Sequence, residues 1–415
     1  MDGRELAMDE VAHDYLVLSL AVGEMEDGIV DAYYGPPELR DEAAARSNSP
    51  SALADEALAL RRRVVSDVAN TQRARWLDRQ LVALETLCRR IGGEDMTYLD
   101  EVTRYFDAAP EATPPEAYKT LRRELDELLP AGESLRARLD ARDEQLTIAR
   151  EHVGDVIAWV TAELRVDCAA VFPIPEGESL ELTLVTDKPW SAYNWYKGGL
   201  RSRIEFNIDL PTRAHQLVGT LGHEAFPGHH LEHAWKEQRL VREQGYAEAT
   251  VQLINTPEAY ISEGLAEVGP RLLVDSARWQ ELLLRIAERA GLPLTPADAE
   301  REWRISQAMG AHRGSGGDAA LQLHVEGKSR DEVKRFLVED GLLTPERAAK
   351  NLEFITHPLW RTYVFCYAGG DRLLSRWCAS AGDIHAQRTR FFRLLTEELT
   401  PSGIADEIEQ ETPAA

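Results

Sequence analysis

The sequence predicts a mainly α, multi-helix protein with a small antiparallel β unit in its middle, and three observations carry that reading. Up to about residue 165 the chain is rich in Ala, Leu, Arg and Glu, with apolar positions every three to four residues, as in Leu81, Leu84, Leu87 and Cys88. From 179 to 209 the pattern changes to alternation, first in Leu180, Leu182 and Leu184, then in Ile204, Phe206 and Ile208 after the turn signal Tyr196-Lys197-Gly198-Gly199. Beyond Pro211 the helical period returns. At 415 residues the chain exceeds one compact core. The expected division is an N-terminal helical lobe, 1–165, and a second region, 166–415, holding the β unit and helices over 211–236 and 256–275.

Local chemistry marks the helix ends. Gly35-Pro36-Pro37 reads as a turn, and Ala109-Pro110 with Pro114-Pro115 separates two helical stretches. Thr256-Pro257, Thr295-Pro296 and Thr344-Pro345 each set a capping hydroxyl before a proline at the first helical position, where its missing N–H is not needed. Ser329 and Glu332 form a capping-box pair. Gly314-Ser-Gly-Gly317 lacks the Lys-Ser/Thr of a phosphate loop and reads as a flexible connector or a hinge. The acidic, Pro-containing tail after Thr400 is expected to be loose.

Composition narrows the function. Seventy-one acidic against 47 basic side chains give a net charge of −24, which repels phosphate backbones and argues against nucleic acid as a partner. The short Arg61-Arg-Arg63 run is a solvated helix face. No stretch reaches the roughly 18 apolar residues of a membrane span. Met1 to Glu10 has no cationic segment followed by an apolar run, so a cytoplasmic protein is expected. Cys88, Cys168, Cys366 and Cys378 are far apart and read as buried reduced thiols.

The chemistry is concentrated in Gly222-His-Glu-Ala-Phe-Pro-Gly-His-His-Leu231. Ala214, Leu217, Val218, Leu221 and Ala225 share one helical face, which places His223 and Glu224 on a packed helix. In H-E-x-x-H, histidines at i and i+4 hold zinc and the glutamate polarises water. Here position i+4 is Pro227, which removes a helical hydrogen bond and forces a kink or bulge. A widened turn absorbing Pro227 and Gly228 would bring His229 where the second histidine belongs. His230 is the competing choice, but on an unbroken helix it lies two turns from His223, so it reads better as a group that supports a ligand or contacts substrate. Glu263 and Glu267 share a face of the Thr256-capped helix, beside the small Gly264 and Ala266. One can bind metal while the other orients a histidine. Two histidines, one glutamate and an open position make a catalytic zinc pattern, so Zn2+ is the expected cofactor.

At these residues the sequence resembles a large bacterial family known as domain of unknown function 885, through His223-Glu-Ala-Phe-Pro-Gly-His-His-Leu231 and, downstream, Glu263-Gly-Leu-Ala266, Glu205-Phe-Asn-Ile-Asp209 and Tyr367-x-x-Gly370. It is more distantly similar to Glu-zincin metallopeptidases such as dipeptidyl peptidase III, whose motif is also stretched. The resemblance implies a zincin-like metallohydrolase fold with His223, His229 and Glu263 as ligands and Glu224 as general base. Leu265 and Val268 stand where the family has Trp and Tyr, and Arg361-Thr-Tyr-Val364 replaces a Pro-Gly-Gln-Ala run.

The reaction expected is attack of metal-activated water on an amide carbonyl, with Tyr367, Tyr363 or His357 as donor to the oxyanion and Arg361 pairing a substrate carboxylate. An edge strand over 203–209 would pair with an extended short peptide or chain end. The alternatives are a zinc amidohydrolase of a non-peptide metabolite and a catalytically inactive helical binding protein.

Overall fold

The computed structural model describes residues 8–46, 49–188 and 190–411, apart from the side chains of Ala311 and His312. The chain folds as mainly helical, as the periodicity predicts. α1 (Glu10–Gly23), capped by the Asp9 carboxylate, packs with α2 (Glu38–Ala44), α3 (Pro50–Asp67), α4 (Thr71–Ile91) and α5 (Tyr98–Phe106). Between α1 and α2 lies β1 (Val30–Tyr33), a strand the helical reading of this lobe missed because four residues are too few to show a period. α6 (Pro115–Leu128) and α7 (Leu135–Gln145) share a small core with Ile305 and Leu342.

α8 (Arg150–Val171) leads into β2 (Ser179–Val185), β3 (Ala192–Tyr196) and β4 (Arg201–Asn207), ordered β2-β4-β3. The expected antiparallel unit is therefore corrected to a mixed sheet: β3 pairs antiparallel with β4, but β2 runs parallel to it. Gly198, Gly199 and Leu200, at φ of 70°, 69° and 60°, fold 196–201 into a hairpin that occupies one edge of β4. The alternating run at 179–185 is left with the other edge. Because β4 is central, it cannot be the substrate-pairing edge expected at 203–209; the outer strands are β2 and β3, of which β3 lines the cleft.

α9 (Ala214–Glu224) and α10 (His229–Lys236) are followed by a π-helical turn, Glu237–Glu243, and by β5 (Val251–Leu253), which pairs antiparallel with β1. The expected single helix over 211–236 is interrupted between Glu224 and His229. The rest is helical: α11 (Pro257–Leu273), α12 (Ser276–Ala290), α13 (Pro296–Ala308), α14 (Ser315–His324), α15 (Arg330–Glu339), α16 (Pro345–Phe354), α17 (Val364–Ser380), α18 (Ile384–Thr396) and α19 (Pro401–Glu411). Thr256, Thr295, Ser329 and Thr344 all cap as read, and Ser329 and Thr295 form full capping boxes.

Two expectations are overturned. From Pro401 to Glu411 the tail is the helix α19, with Ile404 buried in the core that α17 and α18 share; residues 412–415 lie outside the described residues. The glycine run is neither connector nor hinge: Gly316 and Gly317 lie inside α14, where an added Cβ would come within 2.8 Å of Val364 and 3.1 Å of Phe365.

Nor do the cores divide at 165. The helices over 10–106 share one core with residues 247–260 and 319–366, whereas α8 spans the expected boundary and packs with α9, α12, α18 and the end of α17 in a second. α11 and α17 belong to both cores and cross at Gly264 and Gly370, whose Cα atoms press on one another's backbone. All four cysteines are free and buried. Among the described residues no helix is long and apolar enough to cross a membrane.

Candidate metal centre

A cleft of about 1640 Å³ runs between the lobes, and its floor is the junction of α9, α10 and α11. Proline lacks the N–H that would continue α9, so the helix ends at Glu224 and the chain turns through Ala225–Gly228 before restarting. The turn needs glycine at 228: a Cβ there would sit 1.8 Å from the His223 carbonyl oxygen, and Gly228 N donates to Gly222 O at 2.9 Å. Folding back this tightly sets the first side chain of α10 beside the last turn of α9.

His223 Nε2 and His229 Nε2 face each other at 3.2 Å. Glu263 on α11 closes the triangle, its Oε2 3.4 Å from His223 Nε2 and 3.9 Å from His229 Nε2. Donors bound to one tetrahedral zinc at about 2.0–2.1 Å lie about 3.3–3.4 Å apart, so the set has the dimensions of a zinc site. Glu263 Oε2 is buried and has no hydrogen-bond partner among the described residues. A buried carboxylate oxygen is expensive to leave unsatisfied, and a cation between the three side chains would satisfy it. On these grounds the residues fit a zinc ion. His230, the alternative ligand, turns the other way. It is fully buried between Ser202 Oγ and Glu178, each 2.8 Å from a ring nitrogen, and touches neither the triangle nor the cleft. It anchors α10 to the sheet, which corrects its reading as a substrate contact.

The outer nitrogens of both histidines are held. His223 Nδ1 lies 3.6 Å from Glu267, which Arg313 grips at 3.0 Å. Burial works against ionisation of Glu267, but the His223 ring and Arg313 bring its pKa down to about 2. His229 Nδ1 meets Ser262 Oγ at 3.2 Å and Glu232 at 3.4 Å, and Ser262 donates to Glu232 at 2.6 Å. Fully buried Glu232 is further paired to Lys236 at 2.7 Å, which in turn reaches Glu258 at 3.0 Å. Partners of this kind fix ring orientation and raise basicity in metal-binding histidines. Glu232, Ser262 and Lys236 were not singled out from sequence, although Glu232 lies one helical turn from each of His229 and Lys236.

Glu224 faces the cleft with no hydrogen bond to its carboxylate among the described residues, and burial raises its pKa against the pull of His223 and His229. Tyr363 donates to Glu263 Oε1 at 2.8 Å, and Tyr367 stands beside it at the cleft surface, rings 5.8 Å apart. Burial raises the pKa of both phenols, which keeps them protonated. The sequence reading also missed Asp31 of β1, which lines the cleft and accepts from Tyr193.

Two expected residues lie elsewhere. His357 is exposed in a turn and its Nδ1 accepts from Leu359 N at 3.2 Å. Arg361 is bound to buried Glu101 and lies over the Tyr98 ring, so it is not available to a substrate carboxylate. Of the stretch from Thr356 to Tyr367, Trp360, Tyr363 and Tyr367 line the cleft, whereas His357 and Arg361 do not.

With the geometry in hand, likeness to known proteins adds architecture. A protein of Colwellia psychrerythraea, provisionally described as a lipoprotein, superposes with a TM-score of 0.52 at 14% identity, over 88% of this chain and 68% of that one. The likeness is one of fold. A protein of Shewanella oneidensis, provisionally described as a lipoprotein of unknown function, matches with a TM-score of 0.49 at 10% identity, over 95% and 82% of the two chains. No protein-family model and no curated protein matches the chain.

Proposed function

We propose that this protein is a zinc-dependent hydrolase that cleaves amide bonds of short peptides or chain ends, in the manner of the metallopeptidases its motif resembles. The observation that carries the reading is the His223–His229–Glu263 triangle at the floor of the cleft beside Glu224, with a buried Glu263 oxygen that no described residue satisfies. A zinc ion held there would supply Lewis acidity and a water of lowered pKa.

The remaining work falls to side chains. Glu224, next to His223 but at the end of α9, takes a proton at its free carboxylate and returns it to the leaving amine; its raised pKa suits both halves of that task. Tyr363 spends its hydroxyl on Glu263, which leaves Tyr367 as the donor to the developing oxyanion. Ala192 and Asn194 of the β3 edge line the cleft and offer backbone groups to an extended substrate. We place the protein in the cytoplasm, where its free thiols would stay reduced.

The test is Glu224→Gln with zinc content and turnover measured together on a peptide library. Hydrolysis lost by a factor of about 10²–10⁴ with zinc retained is the expected result. Equal turnover by the two chains would remove Glu224 from the chemistry.

A further inference from the structure

The cleft is electrically lopsided. Around the metal triangle it is acidic, with Asp31, Glu224, Glu263 and Glu267 on its walls. At the opposite end, where α7, α16 and the start of α9 meet, it is lined by Arg136, Arg142, Arg213 and Arg347 around His215. On a chain of net charge −24, four guanidinium groups converging on one wall call for an explanation.

Their internal partners fall short. Arg142 is paired with Glu302 at 2.6 Å, Arg136 with the exposed Asp140 at 2.7 Å, and Arg213 with Asp143 at 3.1 Å. Arg347 has no ion pair among the described residues, and burial with the like charges of Arg213 and Arg136 lowers its pKa against the opposing pull of Asp143, the acidic side chain at this end of the cleft. Among the described residues the buried Nδ1 of His215, whose side chain is only 10% exposed, has no hydrogen-bond partner, and neither has the buried Nε of Arg136. Burial and then the surrounding arginines push the His215 pKa well below its usual value, so its ring is neutral and adds a donor rather than a charge. Excess cation and unspent donors on a cleft wall are the mirror image of a bound carboxylate, which would take two guanidinium forks and relieve their repulsion.

We infer that this end of the cleft is a binding subsite for a carboxylate of the substrate, with Arg347 and Arg213 as its charged contacts. The inference rests on the hydrolase reading for its consequence, since it fixes which end of a peptide lies where. Arg213 and His223 are ten residues apart along α9, about 15 Å at the helical rise of about 1.5 Å per residue. Gln216, Gly219 and Thr220 carry the cleft wall between them. An extended chain covers about 3.3–3.6 Å per residue, so the captured carboxylate lies about four residues from the bond cut. A free C-terminus there makes the protein a peptidase that removes a short fragment from the carboxyl end; an Asp or Glu side chain there makes it selective for acidic peptides.

The experiment uses the full chain carrying Glu224→Gln, with zinc added, and isothermal titration with acetyl-pentaalanine as free acid and as carboxamide. The acid is expected to bind at least about tenfold tighter. Arg347→Gln, its fold checked by a melting curve, is expected to cut that preference below about threefold, and Arg347→Glu to abolish it. An amide ending in Glu that recovers the acid's affinity assigns the site to a side-chain carboxylate; one that does not assigns it to the α-carboxylate. Equal binding of acid and amide, no binding of either, or a preference that survives Arg347→Glu overturns the subsite. Failures separate cleanly: peptide turnover by the unmutated chain with equal affinities sinks the subsite alone, whereas acid-selective binding without any turnover sinks the hydrolase alone.

Discussion

Replacing Gly264 by Ala tests how the fold delivers Glu263 to the proposed metal site. A Cβ at 264 would meet the Gly370 carbonyl carbon at 2.6 Å and its Cα and oxygen at 2.8 Å, all backbone atoms that cannot rotate away. Ordinary contact begins near 3.5 Å, so α11 and α17 must part by most of an ångström. Overpacking of this kind costs about 1–3 kcal/mol, and the contact of two backbones belongs at the upper end. Alanine returns about 1 kcal/mol through helix propensity, leaving a net destabilisation of about 1–2 kcal/mol. The separation also stretches the 2.8 Å bond from Tyr363, at the start of α17, to Glu263 on α11. Loss of such a supporting contact lowers metal affinity by roughly 10–100-fold. Urea denaturation and competitive zinc titration read the two effects. A midpoint that rises, as propensity alone dictates, or a zinc affinity unchanged at lower stability, would refute the idea that this crossing positions the ligand.

Other outcomes follow from the same geometry. Arg361→Ala is expected to lower stability by about 1–3 kcal/mol in urea, because buried Glu101 keeps only Arg90, at 3.1 Å, while KM for any peptide substrate stays unchanged; a KM effect without a stability effect would restore Arg361 to the substrate site. His215 is neutral in the fold and protonates near pH 6.5 once unfolded, so its share of stability is complete above pH 6.5 and is lost as pH falls below it, by about 1.4 kcal/mol at pH 5.5. His215→Gln should therefore flatten the melting temperature between pH 7.5 and 5.5, and an equally steep profile in the variant would count against this assignment. Zinc at a hundredfold excess over its dissociation constant is expected to stabilise the chain by about 2.7 kcal/mol, read as a melting temperature that rises with free zinc; a flat response speaks against a specific site.

Much of this was legible in the chain because it is encoded locally. Thr-Pro and Ser-x-x-Glu pairs mark helix starts through contacts of three residues, and Pro227-Gly228 announces a break that the backbone cannot avoid. The same locality explains the pairing of His223 with His229 rather than His230: the tight turn after Glu224 restarts the helix at 229, and the next residue then points to the sheet. What escaped depends on distant partners. The parallel pairing of β2 follows from which edge of β4 the hairpin leaves free, and alternation alone carries no direction. Arg361 looked like a substrate contact because its consort Glu101 lies 260 residues away, and Asp31 went unnoticed because its strand is four residues long and its partner Tyr193 sits on β3. The cationic end of the cleft is assembled from α7, α9 and α16, none of which shows a basic run in sequence.

Zinc per chain, measured by plasma mass spectrometry after stripping and reconstitution, tests the central claim most directly. About one zinc in the native chain and in His357→Ala, with loss in His229→Ala and in Glu263→Gln, is the expected result. No zinc in the native chain, or stoichiometric zinc retained by both ligand variants, would contradict a metal centre built from His223, His229 and Glu263.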